Sequence, residues 1–250
     1  MLAEAAAKAR EWAVVPAAAV VGALFALVLG QAALARIADI RLEEYAHGLL
    51  VHAVDVAQTS RGVLTAVNAS PHPPCSDADL NEMRHLSFQS EHLRDVGRIR
   101  DGAIVCTALW DRLAAPAVLP PPQRVQHDDD MLWANVADIG ELRLSVDMAG
   151  RGSAIVFTSP QAFKAFETRN DAFRALVLTE DGAHIYRAFG EAAGLGAPAS
   201  HPAAPWYDLR SFRTATECSP DIDVCVVAAL DRVSVLQLPA LLALGLAVLG

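Results

Sequence analysis

The sequence has little positive charge and lacks the short motifs of common enzyme classes. Its 250 residues hold 20 Lys and Arg against 29 Asp and Glu, a formal net charge of −9. Without a basic surplus to attract phosphate backbones, binding of nucleic acid is excluded. The chain also lacks a Gly-x-Ser-x-Gly elbow and a glycine-rich phosphate loop. We find no catalytic constellation in it and expect no bound cofactor.

Long apolar runs at the two ends are what the sequence has in excess, and 53% of its residues are hydrophobic. Residues 13–35 carry no charge and are numerous enough for a helix to cross about 30 Å of hydrocarbon. Residues 233–250 form a second uncharged run, which has no polar flank after it. We interpret both as transmembrane helices, the second one truncated. Residues 1–12 then precede the membrane, and residues 36–232 form a domain between the two helices.

The first apolar run has a second interpretation as a signal peptide. Ala33-Leu34-Ala35 resembles the small-residue site at which such peptides are cleaved. An uncleaved anchor is favoured because the run is longer than a usual signal core and continues into a helix without a break. A secreted protein with a C-terminal anchor is therefore the less favoured alternative.

Cysteines decide the expected orientation of the domain. Cys75, Cys106, Cys218 and Cys225 form an even set, which is typical of a disulfide-permissive compartment. This predicts a cytoplasmic N-terminus, an inner-membrane anchor and a periplasmic domain. Four cysteines allow three pairings, and nearness in sequence favours Cys75–Cys106 with Cys218–Cys225. The spacing of a structural zinc site is absent, so we expect no metal.

The pattern of apolar and turn-forming residues predicts an α+β fold, with a long N-terminal helix packed on a mostly antiparallel sheet. An apolar stripe with helical spacing predicts a helix over residues 36–66, which forms one rod if it continues from the membrane segment. Ser76 and Asp79 form a capping box that opens a second helix. Asp101-Gly102 is a tight turn between two strands, residues 93–100 and 103–107.

The remaining predictions are coarser. We expect a loop over residues 113–130 and a helix that begins at Ser159-Pro160 and includes Phe163 and Phe166. The other expected strands cover residues 142–148, 153–158, 175–178, 184–189, 206–214 and 223–229.

The stretch around the first two cysteines has a distinctive order of residues. It contains Pro74-Cys75-Ser76-Asp77, Leu80, Met83-Arg84, Leu93-Arg94-Asp95-Val96-Gly97-Arg98 and Asp101-Gly102-Ala103-Ile104-Val105-Cys106. This order resembles the CSS-motif sensor domains, the periplasmic parts of a bacterial class of cyclic-di-GMP phosphodiesterases. In that class a membrane helix, the sensor, a second membrane helix and a cytoplasmic EAL domain follow one another. The Cys-Ser-Ser run of the family is replaced here by Cys106-Thr107-Ala108, so a hydroxyl is kept only at Thr107.

The resemblance implies that Cys75 and Cys106, flanked by Ser76 and Thr107, form a regulatory disulfide made by periplasmic thiol-oxidation machinery. It also implies that the chain regulates a cyclic-di-GMP phosphodiesterase of the EAL type. The Glu-Ala-Leu and Gly-Gly-Asp-Glu-Phe motifs are absent, so that chemistry would lie beyond Gly250. Long paired helices favour a homodimer. The alternative is a stand-alone membrane-anchored domain that binds a ligand or partner and has structural disulfides only.

Three further groups of residues could bind or sense something, and each has a plainer interpretation. Residues 127–130, His-Asp-Asp-Asp, could hold a divalent cation but are more typical of a solvated acidic loop. His85 and His92 could share a helix face and titrate, or be ordinary surface histidines. Trp133 and Trp206-Tyr207 could line a small-molecule pocket, although core packing is the commoner role.

Overall fold

The structure is a computed structural model. It describes residues 2–126, 129–136, 146–159, 161–167, 173–192, 195–196 and 212–231, with side chains from residue 18 onward except that of Asn135.

Helix α1 runs without interruption over Leu2–Ala69. The helix predicted over residues 36–66 is therefore confirmed, and it continues from the apolar N-terminal run as one rod. Among the described residues, one helix is sufficiently long and apolar to span a membrane, and this helix is α1. Leu24 and Phe25, in the apolar run, are exposed, whereas Leu42 and Leu49 are buried against the sheets. The second predicted membrane segment, residues 233–250, lies outside the described residues.

Helix α2, Asp77–Gln89, begins where the capping pattern predicts. The Oγ of Ser76 accepts a hydrogen bond from the backbone N–H of Asp79 at 3.2 Å, which satisfies one of the free donors at the helix start. The three prolines between α1 and α2 have no backbone N–H to continue a helix, so they separate the two elements.

The strands form two sheets, and every pairing in them is antiparallel. The large sheet has the order β3-β2-β1-β7-β6-β5-β4, and the small sheet has the order β10-β11-β8-β9. The strands of the large sheet are β1 Leu93–Arg100, β2 Ala103–Thr107, β3 Asp111–Val118, β4 Arg124–Val125, β5 Met131–Val136, β6 Val146–Arg151 and β7 Ala154–Thr158. Those of the small sheet are β8 Phe173–Leu178, β9 Ile185–Phe189, β10 Phe212–Cys218 and β11 Cys225–Asp231. The short helix α3, Lys164–Glu167, connects the sheets.

The α+β class, the antiparallel pairing and the first hairpin are confirmed, but the loop predicted over residues 113–130 is wrong. That segment contains most of β3 and all of β4. Strand β3 lies at the edge of the large sheet and is mostly exposed, so its sequence lacks the alternation that marks a half-buried strand. Its Pro116 is tolerated because an edge strand has one unpaired side.

Other boundaries also differ from the prediction. The sequence pattern does not predict strand β5. Helix α3 begins at Lys164 and not at the Ser159-Pro160 pair, of which Pro160 lies outside the described residues. Strands β6 and β10 begin at Val146 and Phe212, and residues 142–145 and 206–211 lie outside the described part of the chain.

Helix α1 serves as the common spine of both sheets. Its stretch from Ala38 to Val56 packs on the small sheet, and its last turns, with Val63, Leu64 and Val67, pack on α2 and the large sheet. The small sheet therefore lies nearer the apolar N-terminal run of α1, and the large sheet lies farther from it.

Candidate functional site: the Cys75–Cys106 disulfide and its surroundings

A disulfide joins Cys75 to Cys106, which are separated by 31 positions in sequence and have their Cα atoms 5.9 Å apart. Cys75 directly precedes the N-cap of α2, and Cys106 lies in β2. The bridge therefore attaches the start of a helix to the large sheet. Cys106 is fully buried, whereas Cys75 is half-buried at the surface.

The backbone of Cys75 is held in an unusual conformation. Its φ of 61° lies in the left-handed region, which costs a non-glycine residue about 1–2 kcal/mol. Its N–H donates to Asp79 Oδ2 at 2.8 Å, and its carbonyl accepts from Arg112 Nε at 2.8 Å. Together with the disulfide, these two hydrogen bonds hold the residue in place.

A buried ion pair lies beside the disulfide. Asp79 of α2 accepts two hydrogen bonds from the guanidinium of Arg98, one of them 3.0 Å from Nε, and both side chains are almost fully buried. Arg98 lies on β1 directly opposite Cys106. The ion pair and the disulfide thus fix the same end of α2 to the same pair of strands.

The sequence pattern identified Asp79 only as part of a capping box. Its carboxylate does not bind the N–H of Ser76, as a capping box requires, but the N–H of Cys75 and the side chain of Arg98. No spacing rule links Asp79 to Arg98, because they meet only when α2 folds back onto β1. The role of Arg98 was therefore missed.

Thr107 and Ala108, which replace two serines of the family pattern, are both buried. The hydroxyl oxygen of Thr107 accepts the backbone N–H of Trp110 at 3.0 Å, so it organises the turn after β2. Ala108 acts through its backbone, donating to Val96 O at 2.7 Å and accepting from Arg84 Nε at 3.0 Å. A serine hydroxyl is not needed for these backbone contacts.

Asp95 is a buried carboxylate beneath this turn. Its Oδ1 accepts the backbone N–H groups of Val96 at 2.8 Å and Leu109 at 3.0 Å, whereas Oδ2 has no hydrogen-bond partner among the described residues. Burial raises the pKa of Asp95, and hydrogen bonds from Thr107, Val96 and Leu109 oppose only part of this effect.

Gly97 is required by the close packing of β1 on β2. A Cβ at this position would lie 2.8 Å from the carbonyl oxygen of Cys106, which is closer than real contacts allow. This explains why a glycine lies in the middle of a buried strand beside the disulfide.

The second disulfide, Cys218–Cys225, closes the hairpin of β10 and β11. The two cysteines face each other in the register of the strands, with Cα atoms 4.0 Å apart. Cys218 is exposed and Cys225 is buried. The bridge lies in the small sheet and connects two strands that are already hydrogen-bonded along their length.

Among the described residues no cluster of three potential metal ligands is present, and of the acidic segment over residues 127–130 only Asp129 and Asp130 are described. Its buried residue Asp130 is instead bound by Arg151, with Arg61 also within 3.3 Å. His127 and Asp128 lie outside the described residues.

The two histidines near α2 do not share a helix face, and that hypothesis is wrong because α2 ends at Gln89. His85 contacts the side chain of Gln89, whereas His92 pairs with Asp55 of α1 at 2.7 Å. Trp133 is buried and also lines a cavity between the two sheets. Trp206 and Tyr207 lie outside the described residues.

The family profile described as the CSS motif domain associated with EAL matches residues 39–242. The chain belongs to the CSS-motif domain family. In Escherichia coli (strain K12), the "Probable cyclic di-GMP phosphodiesterase PdeB" is 26% identical over 123 residues. That match covers 49% of this chain and 23% of PdeB, so the chain spans about a quarter of this relative's length.

Solved structures are similar in fold at low sequence identity. The extracellular domain of the "putative histidine kinase rpHK1S-Z16" matches with a TM-score of 0.50 at 16% identity, over 81% of this chain and 98% of that one. The ligand-binding domain of the Pseudomonas fluorescens chemoreceptor CtaA, in complex with L-alanine, matches with a TM-score of 0.49 at 10% identity, over 82% and 100% of the two chains. The likeness to the kinase structure shows that the long helix and antiparallel sheets form the same overall fold as that extracellular domain.

Proposed function

We propose that this chain is a membrane-anchored periplasmic redox sensor that regulates cyclic-di-GMP hydrolysis by a cytoplasmic EAL domain of the same protein. Membership of the CSS-motif family, whose domain is associated with EAL, supports the link to that enzyme class. The observation that carries the redox role is the Cys75–Cys106 bridge, because it attaches the N-terminal end of α2 to the large sheet, whereas the main chain joins the helix to that sheet only at its C-terminal end.

Exchange with an external thiol starts at Cys75 in this proposal, because Cys106 is fully buried. An incoming thiolate attacks Sγ of Cys75 and forms a mixed disulfide, and the released thiolate of Cys106 takes up a proton. A second thiol of the reductant resolves the mixed disulfide and leaves Cys75 reduced. Oxidation by the periplasmic thiol-oxidation machinery removes two electrons and two protons from the two thiols and restores the bridge.

Reduction weakens the attachment of α2 to the large sheet. Without the covalent link, Cys75 can leave the left-handed conformation, and its hydrogen bond to Asp79 loses its fixed geometry. Leu80 and Met83 of α2 pack in one apolar cluster with Val63 and Leu64 of α1. A shift of α2 therefore changes the packing at the end of α1.

Helix α1 is the element that transmits the change, since it is continuous from this cluster to the apolar N-terminal run. In the proposed arrangement, residues 1–12 are cytoplasmic, residues 13–35 and 233–250 cross the inner membrane, and residues 36–232 form the periplasmic sensor. The chain acts as a homodimer in which paired membrane helices move relative to each other.

The test is the cyclic-di-GMP hydrolysis of the membrane-embedded parent protein, measured for the oxidised protein, the reduced protein and a Cys75→Ser variant. We expect the variant to have the same activity as the reduced wild type under both conditions. A Cys218→Ser variant is the matched control and should remain redox-responsive. A Cys75→Ser variant with the output of the oxidised wild type under oxidising conditions contradicts the proposal and supports a domain with structural disulfides only.

A further inference from the structure

A cavity of about 140 Å³ lies between the two sheets, against the middle of α1. Ala53, Ala57, Ser60 and Arg61 of α1 form one wall. The large sheet contributes Trp133 and Met148, and the small-sheet side contributes Val177, His184, Tyr186 and Val224. The cavity is thus the place where both sheets and the spine helix meet, and no cysteine lines it.

Most of the wall is apolar, which suits a hydrocarbon or aromatic group. The volume is close to that of an engineered protein cavity of about 150 Å³ that binds benzene. A molecule whose buried part is the size of a benzene ring or a short alkyl chain therefore fits. Two alanines of α1, Ala53 and Ala57, leave this space open, because larger side chains at these positions would project into it.

The polar groups are few and include a guanidinium with weak partners. Arg61 lies 3.3 Å from Asp130 Oδ2 through Nε and 3.3 Å from Gln126 Oε1 through Nη2, which are long hydrogen bonds. Asp130 is already bound by both Nε and Nη2 of Arg151. Arg61 is one-third exposed and can turn toward a better acceptor in the cavity.

Tyr186 and His184 supply neutral polar groups to the wall. The hydroxyl of Tyr186 accepts from Gln126 Nε2 at 3.0 Å, and burial raises its pKa, so it stays protonated. His184 Nε2 is buried without a hydrogen-bond partner among the described residues. Burial and the charge of Arg124 lower the pKa of His184, so its ring is neutral.

Carboxylates in the wall offer little to a cationic ligand. Asp130 is bound by Arg151, and Asp147 is bound by Arg187 at 3.2 Å. An amine placed here would find both acidic groups already engaged. An anionic oxygen group, in contrast, would meet the fork of Arg61, which matches the geometry of a carboxylate.

From this geometry we infer that the cavity is a binding site for a small monocarboxylate with an apolar body, whose ring or alkyl chain lies among the apolar side chains and whose carboxylate binds Arg61. This site goes beyond the proposed redox function. A ligand bound there contacts α1 and both sheets at once, so it would favour the arrangement in which these three parts are closest. The membrane helix would then receive a chemical signal as well as a redox signal.

The test is calorimetric titration of the full chain in lipid nanodiscs with benzoate, phenylacetate and hexanoate, and with benzyl alcohol as an uncharged comparison. We expect saturable binding of at least one carboxylate and binding of benzyl alcohol that is at least about tenfold weaker, because it has no charged partner for Arg61. Absence of saturable binding by all three carboxylates at millimolar concentration overturns the inference.

Two variants with matched controls on the same helix locate the site. Arg61→Gln should weaken carboxylate binding at least about tenfold, whereas Arg41→Gln, at an exposed position outside the cavity, should not change it. Ala57→Leu should abolish binding by filling the cavity, whereas Gln58→Leu on the exposed face should not. Carboxylate binding that is unchanged in either Arg61→Gln or Ala57→Leu contradicts the assignment. Because the cavity contains no cysteine, such a failure leaves the redox proposal untouched.

Discussion

The two disulfides of this protein connect elements in different ways. Cys218–Cys225 joins two strands of the small sheet that are already paired by hydrogen bonds from Phe212 to Cys218. Cys75–Cys106 joins the start of α2 to the large sheet across 31 positions of sequence, where side-chain packing, the buried ion pair of Asp79 with Arg98 and surface contacts such as that of Arg112 with Asp77 are the non-covalent attachments. Reduction of Cys218–Cys225 leaves its strand ladder in place. Reduction of Cys75–Cys106 releases the N-terminal end of α2 from β2 and leaves the main chain at the other end of the helix as its covalent link to the sheet. This difference is why we propose Cys75–Cys106, and not Cys218–Cys225, as the conformational switch.

Solvent exposure of the cysteines alone would favour Cys218–Cys225 as the bridge that an external thiol reduces. Cys218 is exposed and Cys75 is half-buried, so both bridges can be reached by a thiol at one sulfur. What distinguishes them is the structural consequence of reduction, which depends on the surroundings. The predictions below test that difference, beginning with the largest expected effect.

Breaking the ion pair beside the first disulfide should destabilise the protein strongly. Asp79→Ala leaves the guanidinium of Arg98 buried without its partner, and removal of one member of a buried pair costs about 3–5 kcal/mol. The corresponding pair near the second disulfide, His47 with Glu217, is exposed, so Glu217→Ala should cost only about 0–1 kcal/mol. Urea unfolding of the oxidised proteins measures both values. Equal losses for the two variants would contradict the proposed difference between the regions.

Removal of Cys75–Cys106 should also lower the free energy of unfolding more than removal of Cys218–Cys225, but by a smaller margin than the two ion-pair variants differ. Replacing Cys75 and Cys106 together by alanine should lower the free energy of unfolding by about 3.7 kcal/mol, since a longer loop is released in the unfolded chain. The same replacement of Cys218 and Cys225 should cost about 2.5 kcal/mol. Denaturant unfolding under oxidising conditions gives the comparison. A larger loss of unfolding free energy on removal of Cys218–Cys225 would contradict the proposed difference between the two disulfides.

The threonine after Cys106 should contribute through its hydroxyl. Thr107→Val leaves the N–H of Trp110 without its acceptor, at an expected cost of about 1–3 kcal/mol, whereas Thr107→Ser keeps that acceptor and should cost less. Thr216→Val, on the exposed face of β10, is the matched control and should stay within about 0.5 kcal/mol of the wild type. Thermal unfolding of the three variants tests this order, and a control as unstable as Thr107→Val would show that the hydroxyl is not the cause.

Asp95, which is buried near Cys75–Cys106, should make the free energy of unfolding depend on pH. Because burial raises its folded pKa above 3.8, the folded state holds this proton more tightly than the unfolded chain does. The contribution of Asp95 to stability is therefore most favourable below pH 3.8 and is lost as the pH rises through the folded pKa. Asp95→Asn should remove this decline.

The measurement is the slope of unfolding free energy against pH from about 4 to 7 for wild type and Asp95→Asn. Asp221→Asn, on the exposed turn before β11, is the control and should keep the wild-type slope. An unchanged slope in Asp95→Asn would show that burial of this carboxylate does not control the pH dependence.

Local patterns in the sequence predicted the elements around the first disulfide well. The cap at Ser76, the turn at Asp101-Gly102 and the strands on either side of it follow from short-range rules that the structure obeys. The ion pair of Asp79 with Arg98 and the contact of Gly97 with Cys106 depend on how α2 and β1 pack, which spacing does not specify.

Prediction was poorest where burial is low or where distant segments meet. Edge strand β3 has no apolar alternation to reveal it, because most of its side chains face solvent. The cavity is assembled from α1, Trp133 and Tyr186, which are far apart in sequence. Of the residues in its wall, Trp133 alone is a candidate pocket residue from the sequence, where its aromatic character is the one signal.

Hydrogen exchange of the amides in α2 is the most direct test of the central claim. The full chain would be compared in its oxidised and reduced forms, in a variant that lacks Cys218 and Cys225 so that only the Cys75–Cys106 bridge changes. We predict that reduction increases exchange across Asp77–Gln89 and at the end of α1, while β8 and β11 keep their protection. Protection of α2 that is the same in both redox states would contradict the claim that this disulfide controls how the helix is held.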